Sequence, residues 1–259
     1  MHPARPRVGI LDLDIFGPSI PKLMGLDRAD EPLLTQGGAI IPLRNHGIPC
    51  MSMGFLLPRP PDADSSADTA VVWRGLMVQK AVQQLLFDID WRDGPEQRGS
   101  GLDVLVIDMP PGTGDVPLTL GQLVNVDGAV IVSTPQDVAL SDVRKGVTMF
   151  RKISVPILGL LLNQSYFTCP SCSTPHHLYG PPDLFRATAA RLGAPVLGEL
   201  PITPSVSRGG DAGIPHVLMA SDKTMKESKC ETGWNDVMKG VAAQVWAALP
   251  KRNLVHGGE

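Results

Sequence analysis

No window of this 259-residue chain approaches the roughly 18 uninterrupted apolar residues of a membrane span, so no transmembrane segment is expected. Charge of one sign is not in excess either. The 23 Lys and Arg against 26 Asp and Glu leave a formal net charge of −3. That creates no global field for nucleic acid or anionic lipid, and no nucleic-acid partner is expected. Cysteine is scarce, with only Cys50, Cys169, Cys172 and Cys230, too few for a disulfide scaffold. The stretch from Met1 to Pro6 is too short for a targeting signal, and no internal repeat is visible. What is present is an ordinary globular composition, 43% apolar. The length suits one large α/β domain or two small ones, and the reading adopted is a single domain over 1–259. The 27 glycines and 25 prolines fall largely in turns placed as if for function.

The most informative turn follows Val104-Leu105-Val106-Ile107. This apolar, largely β-branched run predicts a buried strand that delivers Asp108 to the edge of a sheet. Met109-Pro110-Pro111-Gly112-Thr113-Gly114-Asp115 then reads as a backbone-rich loop. An aspartate at such a strand end can hold Mg²⁺ through its water shell. Glycines beyond it let backbone amides approach a phosphate. Alone, Asp108 is most simply an ordinary strand-end acid; the full run D-M-P-P-G-T-G-D points to phosphate and Mg²⁺.

The same pattern opens the chain. Val8-Gly9-Ile10-Leu11-Asp12-Leu13-Asp14 is an apolar strand ending in carboxylates, and Ile15 to Pro21 is a turn-rich loop leading to a short helix. Two such strands predict parallel neighbours whose carboxyl ends share one site, where open α/β sheets bind ligands. In the Asp-x-Asp pair one carboxylate would serve a metal and the other orient a water, against the plainer reading of two solvated strand-end acids.

Residues 39–43 and 48–55 predict a strand pair, 58–70 a mobile loop, and 73–90 a helix with Val78, Val82, Leu85 and Leu86 on one face. Leu118 to Val124 predicts a helix, Gly128 to Ser133 a buried strand, and Val143, Val147 and Phe150 mark another helix. Pro156 to Leu162 predicts a strand ending at Asn163, Pro182 to Leu192 a helix, and Val196 to Leu200 a strand before Pro201. A second flexible loop is expected over 221–233 and a terminal helix over 235–249. This alternation predicts an α/β fold with a largely parallel sheet and helices on both faces.

Cys50 lies in an apolar run and is expected in the core. Cys169-Pro170-Ser171-Cys172 is different. Two thiolates at this spacing reach one soft metal centre, but a zinc ion or a [4Fe–4S] cluster wants four ligands. Either His176 and His177 complete a local zinc site, or a second copy of the chain supplies another pair across a two-fold axis. A redox dithiol is a third reading, and two histidines in a proline-rich loop are often merely solvated.

Together these residues resemble the Mrp family of iron–sulfur carrier P-loop ATPases, in particular its NUBPL-like mitochondrial branch. The likeness runs from about Val8 to Val217. It includes Leu11 to Pro21, Gly47 to Phe55, Val71 to Gly75, Ile107 to Asp115, Ser133 to Asp137, Asn163 to Cys172 and Asp211 to Pro215. The resemblance implies a MinD-like P-loop NTPase fold. Asp108 would be the Mg²⁺-linked carboxylate, and Pro110, Pro111, Gly112, Thr113, Gly114 and Asp115 the switch that senses the γ-phosphate of ATP. Asp12 and Asp14 would form the first switch, with Asp14 orienting water. Asn163 would contact adenine, and the backbone near Pro201 would wall that pocket. Cys169 and Cys172 would hold a [4Fe–4S] cluster shared across a homodimer. The cluster would be destined for recipient proteins, most simply respiratory complex I subunits in the mitochondrial matrix, with the cytoplasm as the alternative compartment. The family's Gly-rich GKGGVGKS loop, however, has no counterpart, since no G-x-x-x-x-G-K-[ST] occurs in the chain. The expectation is a fold lacking the first strand, P-loop and first helix, with the Asp108 strand left as a sheet edge and ATP hydrolysis impaired. Intact switch residues favour a truncated reading of the gene over evolved loss. Two other classes share parts of this pattern: MinD/ParA-type positioning ATPases, which need no CxxC, and zinc-stabilised interaction modules without catalysis.

Overall fold

The computed structural model describes residues 6–57, 75–92, 99–219 and 229–250. They form two compact units, Met1–Leu123 with Val206–Met219, and Val124–Ser205 with Ala220–Glu259. Each is taken by itself. The expected loop over 58–70 and most of that over 221–233 lie outside the described residues; 229–233 belong to the last helix.

The first unit is built on β1 (Val8–Asp12), β2 (Leu43–Asn45), β3 (Ile48–Ser52) and β4 (Val104–Asp108), in the order β2-β3-β1-β4. β1 runs parallel to β3 and β4, and β2 pairs antiparallel with β3. The β2–β3 turn is set by His46 and Gly47, both at positive φ, as a two-residue hairpin requires. The strand expected over 39–43 is displaced, since β2 begins only at Leu43. α1 (Ile20–Leu23), α2 (Gly75–Phe87) and α3 (Asp115–Leu123) complete this part. In α2, Val78, Val82 and Leu85 recur on one buried face, as the 3.6-residue period demands. Leu11 and Met51 are fully buried in adjacent strands.

Two short helices, α6 (Pro204–Asp211) and α7 (His216–Met219), flank Asp211 to Pro215 and were not legible from the sequence. Their junction explains that run of residues. Gly213 has φ +68°, and a methyl there would lie 2.6 Å from the Gly25 nitrogen. Gly25, itself at φ +63°, ends α1. Only two glycines permit backbones to pass this closely. His46 Nε2 hydrogen-bonds the Gly213 carbonyl at 2.9 Å, and Asn45 Nδ2 donates to the Met24 carbonyl at 2.8 Å. The hairpin turn thus fastens both passages.

The second unit holds β5 (Ala129–Ser133), α4 (Asp137–Lys152), β6 (Ile157–Thr168), β7 (Pro175–His176), α5 (Asp183–Leu192), β8 (Val196–Pro201) and α8 (Lys229–Ala248). β6 is central, parallel to β5 and β8, with β7 antiparallel at its far end. Successive β6 residues face opposite sides. Leu160 and Leu162 pack with Leu140, Val147 and Phe185 of α4 and α5, while Leu161 packs with Leu197, Leu200 and Val241 under α8. Helices therefore cover both faces here. α8 comes close because Gly198 of β8 presents no side chain, and a methyl there would meet Val237 Cγ1 at 2.7 Å.

Two features depart from expectation. The sheets are mixed, each parallel at its centre with an antiparallel hairpin, and the described residues form two four-stranded sheets where one was expected. The apolar runs of β4 and β5 predict burial, yet each is the outer strand of its sheet with one partner among the described residues; for β4 this agrees with the expected sheet edge, for β5 it does not. Val106 is 50% and Val132 55% exposed in consequence. A run of apolar β-branched residues records suitability for burial, and the neighbouring strand decides whether burial occurs.

Candidate functional site

In the first unit, the parallel register of β1 and β4 sets Asp12 directly beside Asp108. Asp12 is fully buried. Its Oδ1 accepts from the Asp14 amide at 2.9 Å, and its Oδ2 from the Ile20 amide at 3.2 Å and the Ser52 hydroxyl at 3.0 Å. Asp12 therefore ties together the loop after β1, the start of α1 and the end of β3. Burial nonetheless raises its carboxyl above the ordinary range against these bonds, with Asp108 adding repulsion. Asp108 is half-buried, and Ser19 Oγ donates to its Oδ2 at 3.4 Å. Burial raises its carboxyl too; the Ser19 bond opposes the shift and the charge of Asp14 adds to it. Asp14 is less enclosed than Asp12 and accepts from the Gly17 amide at 3.2 Å. Three carboxylates at the carboxyl ends of two strands thus form an electronegative patch that a cation would relieve.

Pro110 and Pro111 lead into an exposed loop in which Gly112 adopts φ +90°. A methyl on Gly112 or Gly114 would meet nothing within 4 Å, so the backbone there is open to an approaching anion. Asp115 is exposed and starts α3, three residues earlier than expected. Ser19 and Ser52, which hold the two buried carboxylates, escaped the sequence reading. The signal that would have found Ser52 is register, since it pairs with Asp12 across β1 and β3.

The raised carboxyls carry a stability consequence. A group whose folded-state pKa is raised stabilises fully below the ordinary carboxylate range, and that contribution is lost as pH rises through the raised value. At neutral pH Asp108 is therefore an unfavourable charge in the cation-free chain. Asp108→Asn keeps an acceptor for Ser19 and should raise the melting temperature at pH 7.5 by about 2–4 °C, as for ~1 kcal/mol in a chain this size after solvent screening. At pH 4 the gain should shrink. Thermal melts at the two pH values check this, and an equal loss at both would show that the charge is not what matters there.

Asn163 and Pro201 lie in the second unit, Asn163 midway along β6 and Pro201 at the end of the neighbouring β8. Asn163 Oδ1 accepts from the Gln164 amide at 2.9 Å, and Gln164 takes φ +54°. This kink interrupts the β6–β8 register between Leu162 and Tyr166, after which Tyr166 pairs with Pro201. β6 therefore does not end at Asn163, as its sequence suggests. It continues to Thr168 and delivers the cysteines.

Beyond Thr168 the chain reverses tightly. The Cys169 amide donates to the Thr174 carbonyl at 3.0 Å, the Ser173 amide to the Cys169 carbonyl at 2.8 Å, and Ser173 has φ +58°. β7 then pairs Phe167 with His176 and Thr168 with Pro175. Among the described residues, only Cys169, Cys172 and His176 bring three such metal-binding atoms within 4.8 Å of one another. Cys172 and His176 are exposed and Cys169 half-buried. The Cys172 thiol shares a 3.2 Å hydrogen bond with Thr174 Oγ1. That side chain, then the Thr174 backbone and Cys169, hold the Cys172 thiol below its ordinary range and favour the thiolate. Cys50, by contrast, is fully buried in β3, and burial pushes its thiol up to about 11. It is a core residue, as expected. Cys230 carries no described side chain.

The histidines that were open partners for the cysteines are not equivalent. His177 Nδ1 hydrogen-bonds the Ser165 carbonyl at 2.8 Å, and its ring meets Tyr166 edge-on at 6.3 Å. Among the described residues the metal-binding group around the cysteines includes His176 and not His177.

A family model described as NUBPL iron-transfer P-loop NTPase matches residues 1–238. The chain is 44% identical over 238 residues to a Dictyostelium discoideum iron-sulfur cluster transfer protein NUBPL, covering 92% of this chain and 67% of that one. It is 40% identical over 235 residues to an Arabidopsis thaliana iron-sulfur protein required for NADH dehydrogenase, mitochondrial, covering 91% and 69%. The chain thus spans about two thirds of the length of these relatives. Among solved structures, a nucleotide-binding protein of Archaeoglobus fulgidus in complex with ADP superposes with a TM-score of 0.62 at 32% identity, covering 80% of this chain and 74% of that one. The cell division ATPase MinD of Pyrococcus furiosus superposes at 0.57 with 18% identity, covering 92% and 86%, which is a likeness of fold.

Proposed function

Because the chain belongs to the NUBPL iron-transfer P-loop NTPase family, we propose that it carries iron–sulfur clusters, receiving a [4Fe–4S] cluster on Cys169 and Cys172 together with the same pair of a second copy. The observation that carries this reading is the cysteine hairpin. It presents two thiols at an accessible turn, one of them biased toward the thiolate. A [4Fe–4S] cluster takes four thiolates and one chain offers two, so a symmetric pair of chains completes the set. The exposure that lets two chains meet there also lets a recipient's thiolates displace them.

The carboxylate patch supports a nucleotide role for the first unit. Asp108 would hold Mg²⁺ through water, the open backbone from Pro110 to Asp115 would sense the terminal phosphate of ATP, and Asp14 would orient water. Asp12 would fix the geometry of that loop from within the fold. In the second unit, Asn163 and the backbone at Pro201 would contact the adenine. The bound metal would neutralise phosphate charge; the residues named supply position. A positioning ATPase of the MinD type would share the Asp108 strand and its loop but has no need of the cysteine hairpin. By the name of the Arabidopsis relative, recipients would be subunits of the respiratory NADH dehydrogenase, and the compartment the mitochondrion.

Anaerobic treatment of the purified chain with iron and sulfide tests the proposal. The expected product is brown, holds four irons and four sulfides per two chains, and sediments as a dimer. A colourless monomer would count against a carrier role.

A further inference from the structure

We propose that His176 is a third protein ligand, and that a single chain holds one divalent, borderline-soft metal ion, such as Zn²⁺ or Fe²⁺, between Cys169, Cys172 and His176. This site is distinct from the shared cluster in its stoichiometry, its ligand set and its independence of a second copy. It does not rest on the cluster-carrier reading.

The β6–β7 hairpin dictates the arrangement. Phe167 and His176 are directly opposed in antiparallel register, so their side chains share one face. Cys169, two residues beyond Phe167, returns to that face. The amide of Cys169 still reaches the Thr174 carbonyl, so the ladder persists to the first cysteine. The turn closed by Ser173 then carries Cys172 back over the same face. Three ligand atoms lie within 4.8 Å of one another before any ion is present. In a tetrahedral zinc site, sulfurs about 2.3 Å from the metal stand about 3.8 Å apart. Closure therefore asks for movement of about one ångström in a surface turn.

The second histidine sharpens the assignment. His177 is engaged by Ser165 and Tyr166, whereas no described hydrogen bond or ion pair occupies the ring of His176. The donor set of two thiolates and one imidazole suits zinc or ferrous iron and not calcium or magnesium, which select oxygen. Three protein ligands leave one tetrahedral position for water or an incoming thiolate, the open coordination of an exchangeable site.

Co²⁺ is the probe, because tetrahedral thiolate-bound cobalt is coloured. Titrated anaerobically into the metal-free chain at concentrations where it is monomeric, Co²⁺ should bind one per chain with tetrahedral ligand-field bands and thiolate charge transfer. Equimolar Zn²⁺ should bleach it. His176→Ala should weaken Co²⁺ by at least roughly tenfold and alter the ligand-field bands. His176→Cys should restore affinity and strengthen the charge-transfer band. His177→Gln, able still to donate to the Ser165 carbonyl, should bind as the parent does. His176 is exposed, so its variants should fold, and matching melting temperatures would verify that. An unchanged affinity and spectrum in His176→Ala, or one Co²⁺ per two chains, would overturn the proposal. Iron–sulfide loading of the parent, run in parallel, tests the carrier reading separately: failure there with cobalt behaviour as stated removes the carrier function alone.

Discussion

Cys169→Ser and Cys172→Ser should each abolish cluster loading and the dimer that depends on it. Each substitution acts twice in a symmetric pair, removing two of the four thiolates, and a hydroxyl at neutral pH does not replace a thiolate on iron. The expected result is complete loss of the brown chromophore, not a graded weakening. Stability should hardly change with Cys172→Ser, because the residue is exposed at a turn and surface substitutions generally stay within about 0.5 kcal/mol. The informative control is Cys50→Ala. Its thiol is fully buried and held far from ionisation, so loading should persist while core stability falls by about 1 kcal/mol. Iron and sulfide analysis, absorbance and light scattering on the three variants check the outcome. Undiminished cluster in either hairpin variant would place the cargo elsewhere.

ATP should bind the 259-residue chain weakly, with a dissociation constant far above the low micromolar range. The chain contains no G-x-x-x-x-G-K-[ST], and so no lysine and hydroxyl at the spacing by which such loops grip phosphates and Mg²⁺. Omitting three charge-assisted hydrogen bonds at ~2 kcal/mol each forfeits ~6 kcal/mol, or roughly 10⁴ in affinity. What remains is the carboxylate patch and the open backbone from Pro110 to Asp115, which alone make a poor anion site because Asp12, Asp14 and Asp108 repel phosphate unless a cation intervenes. Calorimetric titration of Mg²⁺-ATP into this chain decides the matter. Tight binding would mean that other residues supply the missing donors. Fusing a GKGGVGKS-bearing strand–loop–helix ahead of Val8 should restore affinity.

Much of this was open to reading along the chain. The strand cores of β1, β4, β5, β6 and β8 follow from short, mostly apolar runs, and α4 and α5 from 3.6-residue periodicity. Both signals are local, and local signals survive translation into structure. The acids ending β1 and β4, the glycine-rich loop after Asp108 and the CxxC were visible for the same reason: their chemistry resides in adjacent residues.

The tertiary structure decided what depends on partners distant in sequence. Register across β1, β3 and β4 made Asp12 an internal anchor held by Ser52, a role its place in the sequence does not show. Sheet order made the apolar β5 an exposed edge, because burial of a strand is a property of its neighbours. The kink at Gln164 let β6 run on to Thr168, and antiparallel return through β7 chose His176 over His177 for the cysteines. Composition and spacing made those two histidines indistinguishable. Tertiary contacts separate them: His176 pairs with Phe167 at the end of β7 and stands beside the thiols, while His177, just past the strand, bonds the Ser165 carbonyl.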